Sequence, residues 1–453
     1  MHWRENCTFE QTLLTGLPDG KLIGKKLQKT MQPNQRILFY PLLLIMALPF
    51  LSSSRVVLPD RPAPARPFPQ HASYRPGSIL PNHVSQAVLD DSVRSFYQQW
   101  KKHYVLTACE QGQAYVWFEG TAGTNKCVSE GQGYGMMIVA LMAGFDSSAQ
   151  DTYDRLFRWY RSHPTRNSAH LMAWSQDINC HSIDGTSATD GDLDIAYSLL
   201  LADAQWGSGG NISYRQEAID MISSILQQEI NPVTFYVMQS NAINQRSRDY
   251  FDVRSSDFMP DHFRAFKAAS GDARWDSALN NNYRLFRYLE DTYSPDAGLI
   301  PDFIRNGGPG TAIFPAQPHY LESTYDGKYN FNACRVPWRI GTDFLLYGDQ
   351  RADTIIKKIN SWIRGTTKDN PDNISAGYSL EGDDLKNRNY EALCFIAPFS
   401  IAAMASPENQ PWLNKLWDYI VHFPLHEFDY YDNSIKMINM IILSGNYWTP
   451  GPL

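Results

Sequence analysis

Apolar residues recur every three or four positions along most of the chain, the signature of amphipathic helices. Val93, Phe96, Tyr97, Trp100 and Tyr104 form one such stripe. Met136, Met137, Ala140 and Leu141 form another, and Ile195, Leu199, Ala202 and Trp206 a third. The pattern also predicts helices over 218–228, 260–269, 275–292, 342–347, 352–364, 390–404 and 412–421. Gly- and Pro-bearing segments separate them, and the two-residue alternation of strands is sparse. No second linker or low-complexity tract interrupts the pattern from residue 76 onward. The expectation is an all-α domain over 76–453 whose aromatic-bearing loops carry its site.

Ahead of that domain the pattern changes. Ile37–Leu51 is an apolar run broken by Pro41 and Pro49, with Lys21, Lys25, Lys26 and Lys29 upstream and Ser52–Ser54 after it. A basic region, an apolar core and a small-residue stretch read as a secretory signal, with an uncleaved anchor as the alternative. The run is short for a membrane span. Met31 is a second candidate start. The expectation is an extension over 1–54, then a Pro-rich linker over 55–75, on a secreted protein with no other membrane-inserted segment.

Composition narrows the function classes. A net charge of −7 with only 19% charged residues leaves no basic surface for nucleic acid. Most of the 12 Trp and 25 Tyr read as core, and a surplus of them also suits sugar binding, since flat rings stack on sugar faces. None of the six Cys forms a C-x-x-C pair, so a zinc site is not expected. Cys109 and Cys127 bracket a short loop and are candidates to pair; free buried thiols are the equal alternative.

Two segments carry candidate chemistry. Ser129-Glu130-Gly131-Gln132-Gly133-Tyr134-Gly135 places one carboxylate among three glycines at the mouth of a helix, open to close approach. It reads equally as a plain helix start with Glu favoured by the dipole. A catalytic acid there needs a raised pKa, which the helix terminus opposes, so desolvation or a second carboxylate has to prevail. In Ala188-Thr189-Asp190-Gly191-Asp192-Leu193-Asp194-Ile195-Ala196 the three alternating Asp invite a calcium loop. The template fails, with Ile195 at the sixth position and Leu201 at the twelfth. A magnesium–diphosphate site lacks basic neighbours, and Asp190 or Asp192 is also a candidate helix N-cap.

Together these segments resemble the two hallmark motifs of glycoside hydrolase family 8, the second through to Trp206. The resemblance continues through Asp252–Phe258, Arg335–Arg339 and Gly445–Trp448, so it spans about residues 76–450. It implies an (α/α)6 barrel with catalytic loops at one end. It also implies inverting hydrolysis, in which an acid and a base stand about 6.5–9.5 Å apart to admit a water. By position, Glu130 is the proton donor and Asp190 binds the sugar at the cut. The larger branch of the family has an Asp base where this chain has Asn332, which cannot take a proton. A smaller branch, with chitosanases and some β-glucanases, shares that Asn and supplies a preceding Glu. Glu322 matches it as the base, with Asp326 in reserve. Arg335 is expected to orient the water side of the site or to form a structural ion pair. Trp174, Tyr134 and Trp338 are candidate substrate contacts.

The resulting expectation is a monomeric endo-hydrolase of β-1,4-linked polysaccharide, needing neither metal nor cofactor. Cellulose-type or mixed-linkage β-glucan is favoured over chitosan. A non-catalytic glycan-binding protein is the rival, favoured by Asn332.

Overall fold

The computed structural model describes residues 63–118, 125–386, 392–425 and 430–451. The signal, anchor and Met31 readings fall outside these residues. Twelve α-helices run through the described residues. They are α1 (Gln86–Tyr104), α2 (Ser129–Leu141), α3 (Ala149–Ser162), α4 (Thr189–Trp206), α5 (Tyr214–Gln228), α6 (Pro260–Ser270), α7 (Arg274–Tyr293), α8 (Val336–Tyr347), α9 (Gln350–Thr367), α10 (Leu393–Ala403), α11 (Gln410–His422) and α12 (Tyr430–Leu443). None is long and apolar enough to cross a membrane.

The helices divide into two kinds. The even-numbered ones are the more buried, α2, α4, α10 and α12 along almost their whole described length and α6 over its first half. The odd-numbered ones are amphipathic. In α1, Leu89, Val93, Phe96, Tyr97, Trp100 and Tyr104 face inward, while Lys101, Lys102 and His103 oppose the dipole in its last turn. Each buried helix packs on the next, α2 on α4, α4 on α6, α6 on α8, α8 on α10, α10 on α12, and α12 back on α2. The ring closes, with the amphipathic helices as its outer layer: an (α/α)6 barrel.

The connections differ by direction. From inner to outer helix they are short, as at 271–273 and 348–349. From outer to inner they are long and hold every described strand. β1 (Val105–Thr107) and β2 (Ala114–Val116) pair; β3 (Asn125–Val128), β4 (Ser175–Asp177) and β5 (Ser182–Asp184) form a second sheet; β6 (Val253–Arg254), β7 (Phe303–Asn306) and β8 (Ile313–Pro315) form a third. All pairings are antiparallel. One end of the barrel is thereby built up with ribs of sheet around the N-termini of the inner helices.

The opposite end is closed by the segment before α1. Backbone N–H groups of Ala65, Phe68, Ala72, Arg75 and Ile79 donate to Gln205, Ala143, Gly445, Leu345 and Met404, at or near the C-termini of five inner helices. This corrects the linker reading. From Ala63 onward the Pro-rich stretch is a strap docked on the barrel floor, with Phe68 buried, because those carbonyls need donors that their own helices cannot supply.

Cys109 bonds to Cys180, not Cys127. Cys127 points inward from β3 as a buried free thiol, which burial pushes up to about 12. The disulfide joins the β1–β2 hairpin to the β4–β5 hairpin across a separation of 71 residues. Closing a loop of that length restricts the unfolded chain by about 4 kcal/mol. Cys109→Ser is therefore expected to lower the unfolding free energy by a large part of that amount, measured by urea titration against the unreduced wild type.

Candidate active site

Glycines bring the two key helix starts together. A Cβ on Gly191 would lie 2.6 Å from the Ser129 carbonyl carbon, and one on Gly133 would lie 2.7 Å from the Asp194 Cβ. Only bare backbone at both positions lets the first turns of α2 and α4 touch. That contact sets Glu130 beside Asp190.

Both carboxylates are gripped by Arg335, which arrives on the turn before α8. Its Nη1 donates to Glu130 Oε2 at 2.6 Å and to Asp190 Oδ2 at 3.0 Å. Its Nη2 donates to Ser256 Oγ at 2.8 Å and to Asn332 Oδ1 at 2.9 Å. Asn332, its amide oxygen engaged by an arginine that only donates, turns its Nδ2 outward and donates to Glu322 Oε2 at 2.8 Å. Glu130 and Glu322 are therefore linked through a guanidinium and an amide. The remaining oxygen of Glu130 accepts from the Tyr430 hydroxyl at 2.9 Å. Asp190 Oδ1 forms an ion pair with Arg254 Nη2 at 2.8 Å, and Arg254 Nε donates to Asp257 Oδ1 at 2.8 Å.

The charges sort the carboxylates. Four acids, Glu130, Asp190, Asp257 and Glu322, surround two arginines, so all four cannot be comfortably ionised. Burial raises Glu130 to about 7; Arg335 pulls the other way and Asp190 adds to the rise. Burial would also raise Asp190, but Arg254 and Arg335 outweigh it and hold that carboxyl well below its usual range. An arginine 2.6 Å from Glu130 favours the anion. Because the same guanidinium serves Asp190, however, desolvation prevails at Glu130. Two adjacent carboxyls with pKa values driven apart are suited to different tasks, one to give a proton and one to stay charged. Glu322 is exposed on its open side; protein on its walled side raises its pKa by desolvation, countered by Arg254.

The surrounding loops are fixed by other acids. The Asp326 carboxylate accepts from the backbone N–H groups of Leu321, Glu322 and Ser323. Buried and saturated in this way, it holds the Glu322 loop in shape and is not poised as a reserve base. Asp302 accepts from the N–H groups of Asn330 and Ala333 and so sets the turn that carries Asn332.

Two sequence expectations are corrected here. Trp338 is buried in the core, with the Arg339 guanidinium 3.8 Å above its ring. Tyr134 is also sealed from solvent and supports Arg335 Nη1 from beneath at 3.3 Å. Both lie on inner-helix faces that point into the barrel. Trp174 is half-buried, and its carbonyl accepts from Ser129 N at 2.9 Å, next to Glu130. Neither Asp190 nor Asp192 caps α4, whose N-cap is Ala188 without a side-chain bond. The three aspartates diverge. Asp190 meets Arg335, Asp192 Oδ1 accepts from Met172 N, and Asp194 meets Arg339 and His262.

Arg254, Ser256, Asp257 and Tyr430 belong to the same constellation but have no role in the sequence reading. The segment Asp252–Phe258 stands out in sequence, yet nothing local ties Arg254 to Asp190, 64 positions back.

Comparison with known proteins agrees with this geometry. Residues 69–445 match the family model for glycosyl hydrolases family 8. A "Beta-glucanase" of Niallia circulans is 43% identical over 388 residues, covering 85% of this chain and 92% of that protein. An "Endoglucanase" of Bacillus sp. (strain KSM-330) is 39% identical, covering 85% and 82%. The solved apo structure of a β-1,3-1,4-glucanase from Paenibacillus sp. X4 superposes with a TM-score of 0.81 at 43% identity, covering 85% of this chain and all of that one. An arginine-bridged carboxylate pair at one end of a closed helical barrel is thus matched by sequence over almost the whole described chain, which belongs to glycosyl hydrolase family 8.

Proposed function

We propose that this glycoside hydrolase is a secreted, inverting endo-β-1,4-glucanase acting on cellulose-type or mixed-linkage β-glucan, of the family branch whose base is a loop glutamate. The observation that carries the reading is the Asn332–Glu322 hydrogen bond, which puts a carboxylate where the asparagine alone would leave no base. In this mechanism Glu130 protonates the departing oxygen, Glu322 draws the proton from water on the opposite face, and Asp190 stays ionised beneath the sugar. Trp174 stacks on the ring. Arg335 holds donor and sugar-binding carboxylate in register and, through Asn332, orients the base.

Charge supports a neutral polymer over chitosan. Arg254 and Arg335 offset the acids at the cut, and a protonated Glu130 leaves little net negative charge to attract a polycation. The names carried by the 43% and 39% identical relatives point the same way. The Cys109–Cys180 disulfide supports export, since such bonds persist in oxidising compartments. Assay on carboxymethylcellulose, lichenan and chitosan tests the substrate, with the anomer of the fresh product read by proton NMR. Chain-shortening of β-glucan with inverted product is expected. Release from chitosan alone, or binding without cleavage, overturns the proposal.

A further inference from the structure

A second pair of acids lies under the site, outside the mechanism above. Asp192 sits in the first turn of α4, two residues past Asp190, and Glu229 is the C-cap of α5. Both are fully buried. Asp192 Oδ1 accepts from Met172 N at 2.9 Å, and Glu229 Oε1 accepts from the Ser187 hydroxyl. The other oxygen of each, Oδ2 and Oε2, is sealed from water and receives no N–H or O–H donor. The two carboxyls touch each other. Among the described residues no Lys, Arg or His pairs with either. The charged groups facing them are themselves acidic, Asp190 toward Asp192 and Asp257 toward Glu229, with the Tyr160 hydroxyl of α3 beside Asp192.

We propose that Asp192 and Glu229 share one proton as an acid–carboxylate pair, and that this proton holds Asp192 where it anchors the segment bearing Trp174 to the helix bearing Asp190. Both are positioning residues. Two buried anions in contact repel strongly, whereas one proton turns the contact into a charge-assisted hydrogen bond that satisfies both orphan oxygens. Burial raises Asp192 well above its ordinary value and Glu229 to about 7; Glu229 and Asp190 add to the rise at Asp192, and Asp257 to that at Glu229. The tie runs from Asp192 to Met172, two residues before Trp174, whose carbonyl holds Ser129 beside Glu130. Loss of the proton leaves two buried anions repelling where α4 meets the end of α5, displaces the Asp192 carboxylate that holds Met172 N, and so weakens stacking on the sugar. That last consequence rests on the glycan-cleaving reading of the groove; the shared proton does not.

The test compares wild type with the double variant Asp192→Asn/Glu229→Gln, an amide pair of the same shape with no proton to lose. Denaturant unfolding is followed from about pH 5 to pH 8. The folded pair retains one proton that the unfolded chain releases, so wild-type stability falls as pH rises. The folding constant of wild type relative to the double variant should fall about tenfold per pH unit until the pair ionises. A flat ratio means no retained proton, and about a hundredfold per unit means two; either overturns the pair. Should the double variant not fold, infrared spectra of wild type and Asp192→Asn at neutral pH provide the readout. One protonated-carboxyl carbonyl band must shift or disappear, and a spectrum unchanged in that region overturns the proposal. For positioning, wild-type KM on β-glucan should rise above neutral pH while that of the double variant stays level. Coincident KM profiles overturn that part.

Discussion

Glu322→Gln is expected to lower kcat on β-glucan about a thousandfold, the middle of the range for a positioned general base. Glutamine keeps the shape, and its side-chain oxygen still accepts from Asn332, so the loop held by Asp326 stays in place and KM changes little. The amide cannot take a proton from water, and among the described residues no other carboxylate next to Glu322 is free to do so. Asp326 is saturated by three backbone N–H groups, Asp257 is occupied by Arg254, and Asn332 has no basic atom. Because water activation is needed whatever group departs, the loss should be equally large on polysaccharide and on aryl glycosides. Steady-state kinetics on both substrates check this, and retention of activity within about tenfold removes Glu322 as the base.

Glu130→Gln should behave differently. A departing sugar alkoxide needs a proton, so the loss on β-glucan is again expected to be about a thousandfold. A dinitrophenolate leaves unaided, so on a dinitrophenyl β-cello-oligosaccharide the loss should stay below about tenfold. The two substitutions are thus separated by leaving-group dependence. The pH profile gives the same assignment by another route. The working form of Glu130 is protonated, and burial pushes its pKa up to about 7, so wild-type kcat on β-glucan should fall as pH rises through the neutral range. On the activated aryl substrate the variant's kcat should lack this limb. An identical alkaline limb in both proteins would mean that another group sets it.

The helices were largely legible because burial and period coincide. The stripe from Val93 to Tyr104 ends where α1 ends. The pattern is least clear where a helix is buried on every side, since it then loses its polar face. Tyr430–Leu443 has no clean stripe and went unrecognised, and Tyr430 went with it. Outer helix α3 is not among the predicted helices although its signal is present: Tyr153, Leu156, Phe157 and Tyr160 keep the helical spacing between its charged residues. At the site, Glu130 and Asp190 were found through motifs that are local in sequence. Arg254 and the Asp192–Glu229 contact depend on chain segments meeting across the barrel. Nearness along the chain makes Cys127 a candidate partner for Cys109, with free buried thiols as the equal alternative; the sheet instead brings Cys180 to Cys109 and leaves Cys127 as a free thiol turned inward.

The docked strap has a consequence for the order in which the molecule is completed. It is synthesised before any barrel helix, yet its acceptors extend to Gly445, just past the last barrel helix. The first residues of the domain therefore wait, undocked, until nearly the last have been made. The loops closed by these contacts are among the longest the chain allows, which places them late in folding. The floor of the barrel is a lock that only a finished barrel can turn.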